Sequence, residues 1–169
     1  MGLLIFYLLL ALSVSFLCSV MEAVLLTAPI SYLNMKENQG VKAASILRNQ
    51  KQNIDKPIAA ILSLNTIAHT VGASGVGAQA TDIFGDAYFG IVSAVLTLLI
   101  LVLSEILPKT VGAHYWKSLV VPAGYIIRGM IYIAYPLVII SEYMTKVISS
   151  KSKDEATVSR EEVAAMVDI

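Results

Sequence analysis

Three long stretches almost free of charge, separated by connections that hold most of the ionic residues, constrain this chain more than any other feature. Leu3 to Ala28 is interrupted only by Glu22, and neither Pro57 to Thr81 nor Ala87 to Ser104 contains Asp, Glu, Lys or Arg. A helix crosses the hydrocarbon core of a bilayer with ~20 mostly apolar residues, so each stretch is long enough to span. With 57% hydrophobic residues, 14% charged residues and a mean hydropathy of +0.75, the chain lies outside the range of ordinary soluble domains. The expected fold class is an all-α membrane protein with three transmembrane helices, at about 3–28, 57–81 and 87–108.

The distribution of charge sets an expected orientation. No Lys or Arg precedes Lys36 or lies between Pro57 and Pro108, whereas Lys36, Lys42, Arg48, Lys51 and Lys56 crowd the first connection and Lys109, Lys117 and Arg128 follow the third stretch. The positive-inside bias makes those regions cytoplasmic, and Asp82 and Asp86 mark the short outer connection. The N-terminus is then outside and the C-terminus inside. Residues 29–55 read as an amphipathic hairpin of two short helices turning at Asn38-Gln39-Gly40. Residues 115–148 are apolar but carry Arg128, Glu142, Pro122 and Pro136, and a fourth crossing would export Lys146, Lys151 and Lys153. They are read as a broken helix at the cytoplasmic interface, anchored by Tyr125, Tyr132, Tyr135 and Tyr143. A cleaved signal peptide at the N-terminus is disfavoured, because no basic n-region or small-x-small site flanks the apolar run. Ser159-Arg160-Glu161-Glu162 has capping-box spacing, so a new helix is expected to start within 154–169 and to have been cut from a longer protein.

Polar groups inside spans are costly and are functional candidates by default. Ser15, Ser19 and Glu22 share one face of the first span, Asn65, His69 and Gly72 share one face of the second, and Ser104 and Glu105 precede Pro108 on the third. Hydroxyl, amide and carboxylate oxygens are hard ligands suited to magnesium or calcium. Pro108 also frees a backbone carbonyl a turn earlier, near Ser104, as a further oxygen. Each candidate has a structural alternative. The serines can bond the i−4 carbonyl, Glu105 can pair with Lys109, Glu22 can reach water or a backbone amide, and His69 can be an interior hydrogen-bonded imidazole. The small-residue run from Gly72 to Ala78 reads as a close-packing surface, and Cys18 as a small packing residue. Zero net charge gives no indication of nucleic-acid binding, and no aspartate dyad or oxyanion hole suggests an enzyme.

The segments from Ser15 to Pro29, Ser63 to Gly72 and Ser104 to Gly112 resemble the membrane domain of the CNNM/CorC family of magnesium transporters, the cyclin M proteins and their prokaryotic relatives. The resemblance is most specific at Glu105-Ile106-Leu107-Pro108-Lys109. It implies a homodimer whose membrane domain, over 1–153, has three spans per subunit and cytoplasmic juxtamembrane belt helices, and a multi-pass location in the cell membrane. It implies magnesium ligands at Ser15, Ser19, Asn65 and Glu105, with Glu22, His69 and Ser104 less firmly placed. It further implies cytoplasmic CBS domains that bind nucleotide beyond the chain. Magnesium transport is the expected function, with export as its direction and sodium as a candidate coupling ion. The alternative is a magnesium-sensing subunit that does not itself transport. Two positions depart from the family pattern: Met21 precedes Glu22 where many relatives have serine, and His69 stands where many have a second asparagine.

Overall fold

The computed structural model describes residues 2–152. The stretch expected to begin a connector helix, 154–169 with its Ser159 capping box, lies outside the described residues.

The described chain is all-helical. The first span, α1 (Gly2–Thr27), stops where Pro29 removes a backbone N–H. The carbonyl that would have accepted from Pro29 is that of Leu25, and Lys51 reaches across to supply the missing donor. Its Nζ lies 2.9 Å from the Leu25 carbonyl oxygen and 2.8 Å from that of Leu26. A cation at a helix C-terminus also complements the negative end of the helix dipole.

Two short helices follow, α2 (Ile30–Asn38) and α3 (Lys42–Gln52), and the turn between them uses Gly40 at φ +83°. Only glycine takes that conformation without strain. The Asn38-Gln39-Gly40 signal therefore falls where the chain turns. The second span, α4 (Asp55–Phe84), carries Pro57 in its first turn, where a missing N–H costs no intrahelical bond.

A 3-10 turn (Asp86–Tyr88) leads into α5 (Phe89–Leu99), a π-helical segment (Ile100–Ile106) and α6 (Leu107–His114). These three run on as a single span, Phe89–His114, beyond the 87–108 expected from the charge-free run. The last pair, α7 (Trp116–Ile133) and α8 (Tyr135–Ser152), meets at Ala134 with a bend of 82° between Trp116–Ile133 and Tyr135–Ser141. Pro136 cannot donate to the Tyr132 carbonyl, so α7 ends there and α8 starts afresh. Ala134 and Val138 are buried against Ala60 of α4, which packs the elbow onto the second span.

Among the described residues three helices are long and apolar enough to cross a membrane: Gly2–Thr27, Asp55–Ile83 and Phe89–His114. At ~1.5 Å per residue, spans of 26 to 29 residues exceed a core of ~30 Å and allow for tilt. Their outward faces carry large apolar side chains such as Leu3, Phe6, Leu9, Ile91, Val95 and Leu98, as a lipid-facing surface requires.

The first span is the hub. α1 packs along α4 on one side and against the π segment and α6 on another. The well-packed core lies towards its C-terminal end, where Cys18, Met21, Val24 and Leu25 meet Leu33 of α2, Leu47 of α3 and Ile127 of α7. Cys18 is fully buried there, as its reading as a packing residue implies. Gly72 and Gly75 let α4 approach Ala11 and the Tyr7 ring of α1, so the small-residue run does serve close packing.

Candidate functional site: a serine, asparagine and histidine cluster between the spans

The polar face of α1 turns inward. Ser15 and Ser19, one helical turn apart, are both fully buried, and so is Ser104 on the π segment. Asn65 and His69, also one turn apart, present the polar stripe of α4 to the same place.

The contacts form one network. The Ser15 hydroxyl donates to Asn65 Oδ1 at 2.6 Å, and its oxygen lies 2.5 Å from His69 Nε2. Ser19 donates to the Ser104 backbone carbonyl at 2.6 Å, a carbonyl that Ser15 approaches at 3.5 Å. The Ser104 hydroxyl donates to the Ile100 carbonyl at 2.7 Å and lies 3.4 Å from His69 Nε2.

The role of the ring nitrogen depends on the histidine's tautomer. Each serine has one O–H. Ser15 gives its proton to Asn65 and Ser104 gives its own to Ile100, so both oxygens turn lone pairs towards the ring. An imidazole protonated at Nε2 satisfies both.

The backbone geometry has a local cause in sequence. Pro108 has no N–H for the Ser104 carbonyl four residues earlier, and its ring crowds that position. The helix widens to a π segment, with the Leu107 N–H bonded to the Val102 carbonyl. Such widened turns recur at functional sites. Ser19 then supplies the donor that Pro108 withholds. The freed carbonyl expected near Ser104 is thus present, and it faces the serines of α1.

The structure brings together Ser15, Ser19, Asn65, His69 and Ser104. Two other sequence candidates stand apart from this network. Glu105 is partly exposed and makes no hydrogen bond or ion pair among the described residues. Glu22 pairs with Lys109 at 3.4 Å, joining α1 to α6. Lys109 therefore does not hold Glu105, which corrects the alternative pairing at i+4.

His69 and Ser104, less firmly placed from the sequence, join the same network as Ser15, Ser19 and Asn65. Their signal was present: His69 follows Asn65 by one turn, and Ser104 precedes the proline by four. The π segment itself leaves no mark in sequence beyond that proline.

Chemically, the cluster offers four neutral oxygens from three spans: the hydroxyls of Ser15 and Ser19, the Asn65 amide oxygen and the Ser104 carbonyl. No group of three or more His, Cys, Asp or Glu residues suited to a metal gathers among the described residues, so any cation here would meet hydroxyl, amide and backbone oxygens. An apolar groove of about 210 Å³ between α1 and α4, lined by Tyr7, Ala11, Val14, Ala68, Val71 and Gly72 among others, runs beside the cluster.

The sequence matches the family model described as the cyclin M (CNNM) transmembrane N-terminal domain over residues 4–169. The chain belongs to the CNNM family. Relatives of this CNNM domain include the UPF0053 protein sll1254 of Synechocystis sp., 34% identical over 129 residues, covering 76% of this chain and 37% of that protein. A UPF0053 protein of Haemophilus influenzae is 30% identical over 117 residues, 69% of this chain and 27% of its own. The UPF0053 inner membrane protein YfjD of Escherichia coli is 26% identical over 110 residues, 65% of this chain and 26% of its own. The chain thus spans little more than a third, or less, of the length of these relatives. CNNM membership and the apolar helices make it a multi-pass membrane protein.

Proposed function

We propose that this chain carries magnesium across a cell membrane, through the oxygen cluster formed by Ser15, Ser19, Asn65 and Ser104. The observation that carries the reading is the convergence of hydroxyl, amide and carbonyl oxygens from three apolar spans, with Ser15 to Asn65 and Ser19 to the Ser104 carbonyl each at 2.6 Å and all three serines fully buried. Such groups are expensive in hydrocarbon unless they satisfy one another or a ligand. Magnesium gives up its water reluctantly, and a set of neutral oxygens suits a site that must also release the ion.

Glu105 then acts beside the cluster rather than within its hydrogen bonds, as a carboxylate one residue from the Ser104 carbonyl. His69 directs an N–H at the serine lone pairs and competes with the cation for them. In this reading the protein works as a homodimer in the cell membrane, with its N-terminus outside and its C-terminus in the cytoplasm. Export is the direction. Moving a double charge against a membrane potential costs about 4.6 kcal/mol per 100 mV, and sodium is the candidate coupling ion. CBS domains that bind nucleotide would act on the membrane domain from beyond the chain.

Flux into or out of liposomes containing the purified protein tests the proposal. Magnesium-dependent flux is expected for the natural chain and is expected to fall at least tenfold in Ser15→Ala and Asn65→Ala. Flux equal to that of empty liposomes would overturn transport. Magnesium binding that persists without flux and is lost in the same variants would point to a sensor, a reading favoured by the way the cluster closes on itself.

A further inference from the structure

A second polar feature lies two to three turns along α4 from Asn65, towards Asp55. A cleft of about 440 Å³ opens between α3, the first turn of α4 and α7. Asn49 and Gln50 of α3 line it on the helical side shared with Ile46, together with Asn53 at the C-cap of that helix. Lys56 and Pro57 come from α4, and Arg128 and Ile131, three residues apart, from α7.

The cleft is held open by packing independent of any ligand. Gln50 Nε2 donates to the Gly124 carbonyl at 3.3 Å, tying α3 to α7. The helices touch closely there, since a Cβ on Gly124 would stand 2.5 Å from the Ala43 carbonyl oxygen.

The lining contains two cations and no carboxylate. Arg128 is exposed, its guanidinium lies 6.0 Å from the Tyr132 ring centroid, and no carboxylate pairs with it among the described residues. A guanidinium so placed, beside amide donors, matches the planar fork that phosphate oxygens accept. The location narrows the source of the phosphate. Lys56 and Pro57 begin a span, so the cleft sits where the bilayer's headgroups meet its hydrocarbon. Ile46, Pro57 and Ile131 give it an apolar wall that an inorganic anion would leave uncovered and that glycerol and the first acyl carbons would cover. Basic pockets between helices at this depth are the usual receptors for acidic headgroups.

We propose that this cleft binds the phosphate headgroup of an anionic phospholipid, with Arg128 as its main cationic contact. The inference stands apart from magnesium transport, because none of its residues belongs to the serine cluster.

The experiment uses the purified full chain in phosphatidylcholine nanodiscs, with phosphatidylglycerol added at constant ionic strength. Retained lipid is read by native mass spectrometry, and the unfolding midpoint by thermal denaturation. Phosphatidylglycerol is expected to be retained and to raise the midpoint above that in phosphatidylcholine alone. Losing one charge-assisted contact of about 1.5 kcal/mol should weaken phosphatidylglycerol binding about tenfold in Arg128→Gln, with Arg128→Lys in between. Asn49→Ala, which keeps both cations, should weaken it two- to threefold and serves as the second variant if Arg128→Gln does not fold. Phosphatidylglycerol binding equal to that of the natural chain in both Arg128→Gln and Asn49→Ala would overturn the site. A midpoint shift fully reproduced by inorganic phosphate would overturn the lipid as its source.

Discussion

Ser19 and Gly112 show how much a single residue decides on the inner face of α1. Ser19 is a donor for the Ser104 carbonyl, whose usual α-helical partner would be the N–H that Pro108 lacks. Ser19→Ala is expected to cost about 1 kcal/mol, the usual worth of such a bond within a membrane, read as a lower unfolding midpoint in detergent without added cation. Gly112 of α6 is buried against α1, and a Cβ there would stand 2.7 Å from the Val20 carbonyl oxygen and 2.8 Å from the Ala23 Cβ. Backbone cannot yield as a flexible side chain would, so Gly112→Ala should destabilise by about 1–3 kcal/mol in the same assay. Gly129, with open space around it, is the control and should tolerate alanine. The serine positions were legible from their helical spacing. The need for glycine at 112 was not, because it arises from how closely α6 crosses α1.

At the scale of elements, two prolines end or distort a helix and a donor from elsewhere repairs each break. Lys51 does for α1 at Pro29 what Ser19 does for the third span at Pro108. Lys51→Met removes both bonds to the end of α1 and should lower stability by about 1–2 kcal/mol, the low end for bonds to a charged donor, because the ammonium is partly exposed. Burial pushes the Lys51 ammonium below the ordinary lysine value of 10.5. The folded state therefore releases this proton at a lower pH than the unfolded chain does. Between the two pKa values unfolding takes up a proton, so this residue's contribution to stability rises as pH climbs through that interval towards 10.5. Denaturation midpoints measured from neutral to alkaline pH should show that rise in the natural chain and a flatter profile in Lys51→Met. The basic residues of the first connection were visible in sequence as a topology signal. That one of them caps a helix 25 residues away depends on how α3 folds back beneath α1.

For the whole molecule, the open choice is between three crossings and four. The bend of 82° at Ala134 makes α7 and α8 poor halves of a straight span, and the positive residues argue the same way. With three crossings, cysteines placed at Gln39 and Tyr143 should be labelled by a membrane-impermeant thiol reagent from one side, and one at Ala87 from the other. Cys18 is fully buried and is replaced by alanine for the assay. If the Tyr143 and Ala87 positions label from the same side, the bent pair crosses and the three-span topology is wrong.

The sequence alone determined the class, the location of the three spans and the polar faces they carry. Those properties follow from composition and helical period, which are local. It also marked Pro108 as a place where a carbonyl would be freed. Only the tertiary structure decided which polar groups meet. It joined Ser15, Asn65 and His69, turned the Ser104 carbonyl to Ser19, and left Glu105 outside the network while giving Lys109 to Glu22. The rotation of each helix about its axis sets those meetings. A π segment shifts everything after it by ~100° for each extra residue; Pro108 gives it a local cause, but which groups that rotation brings together depends on how the helices pack.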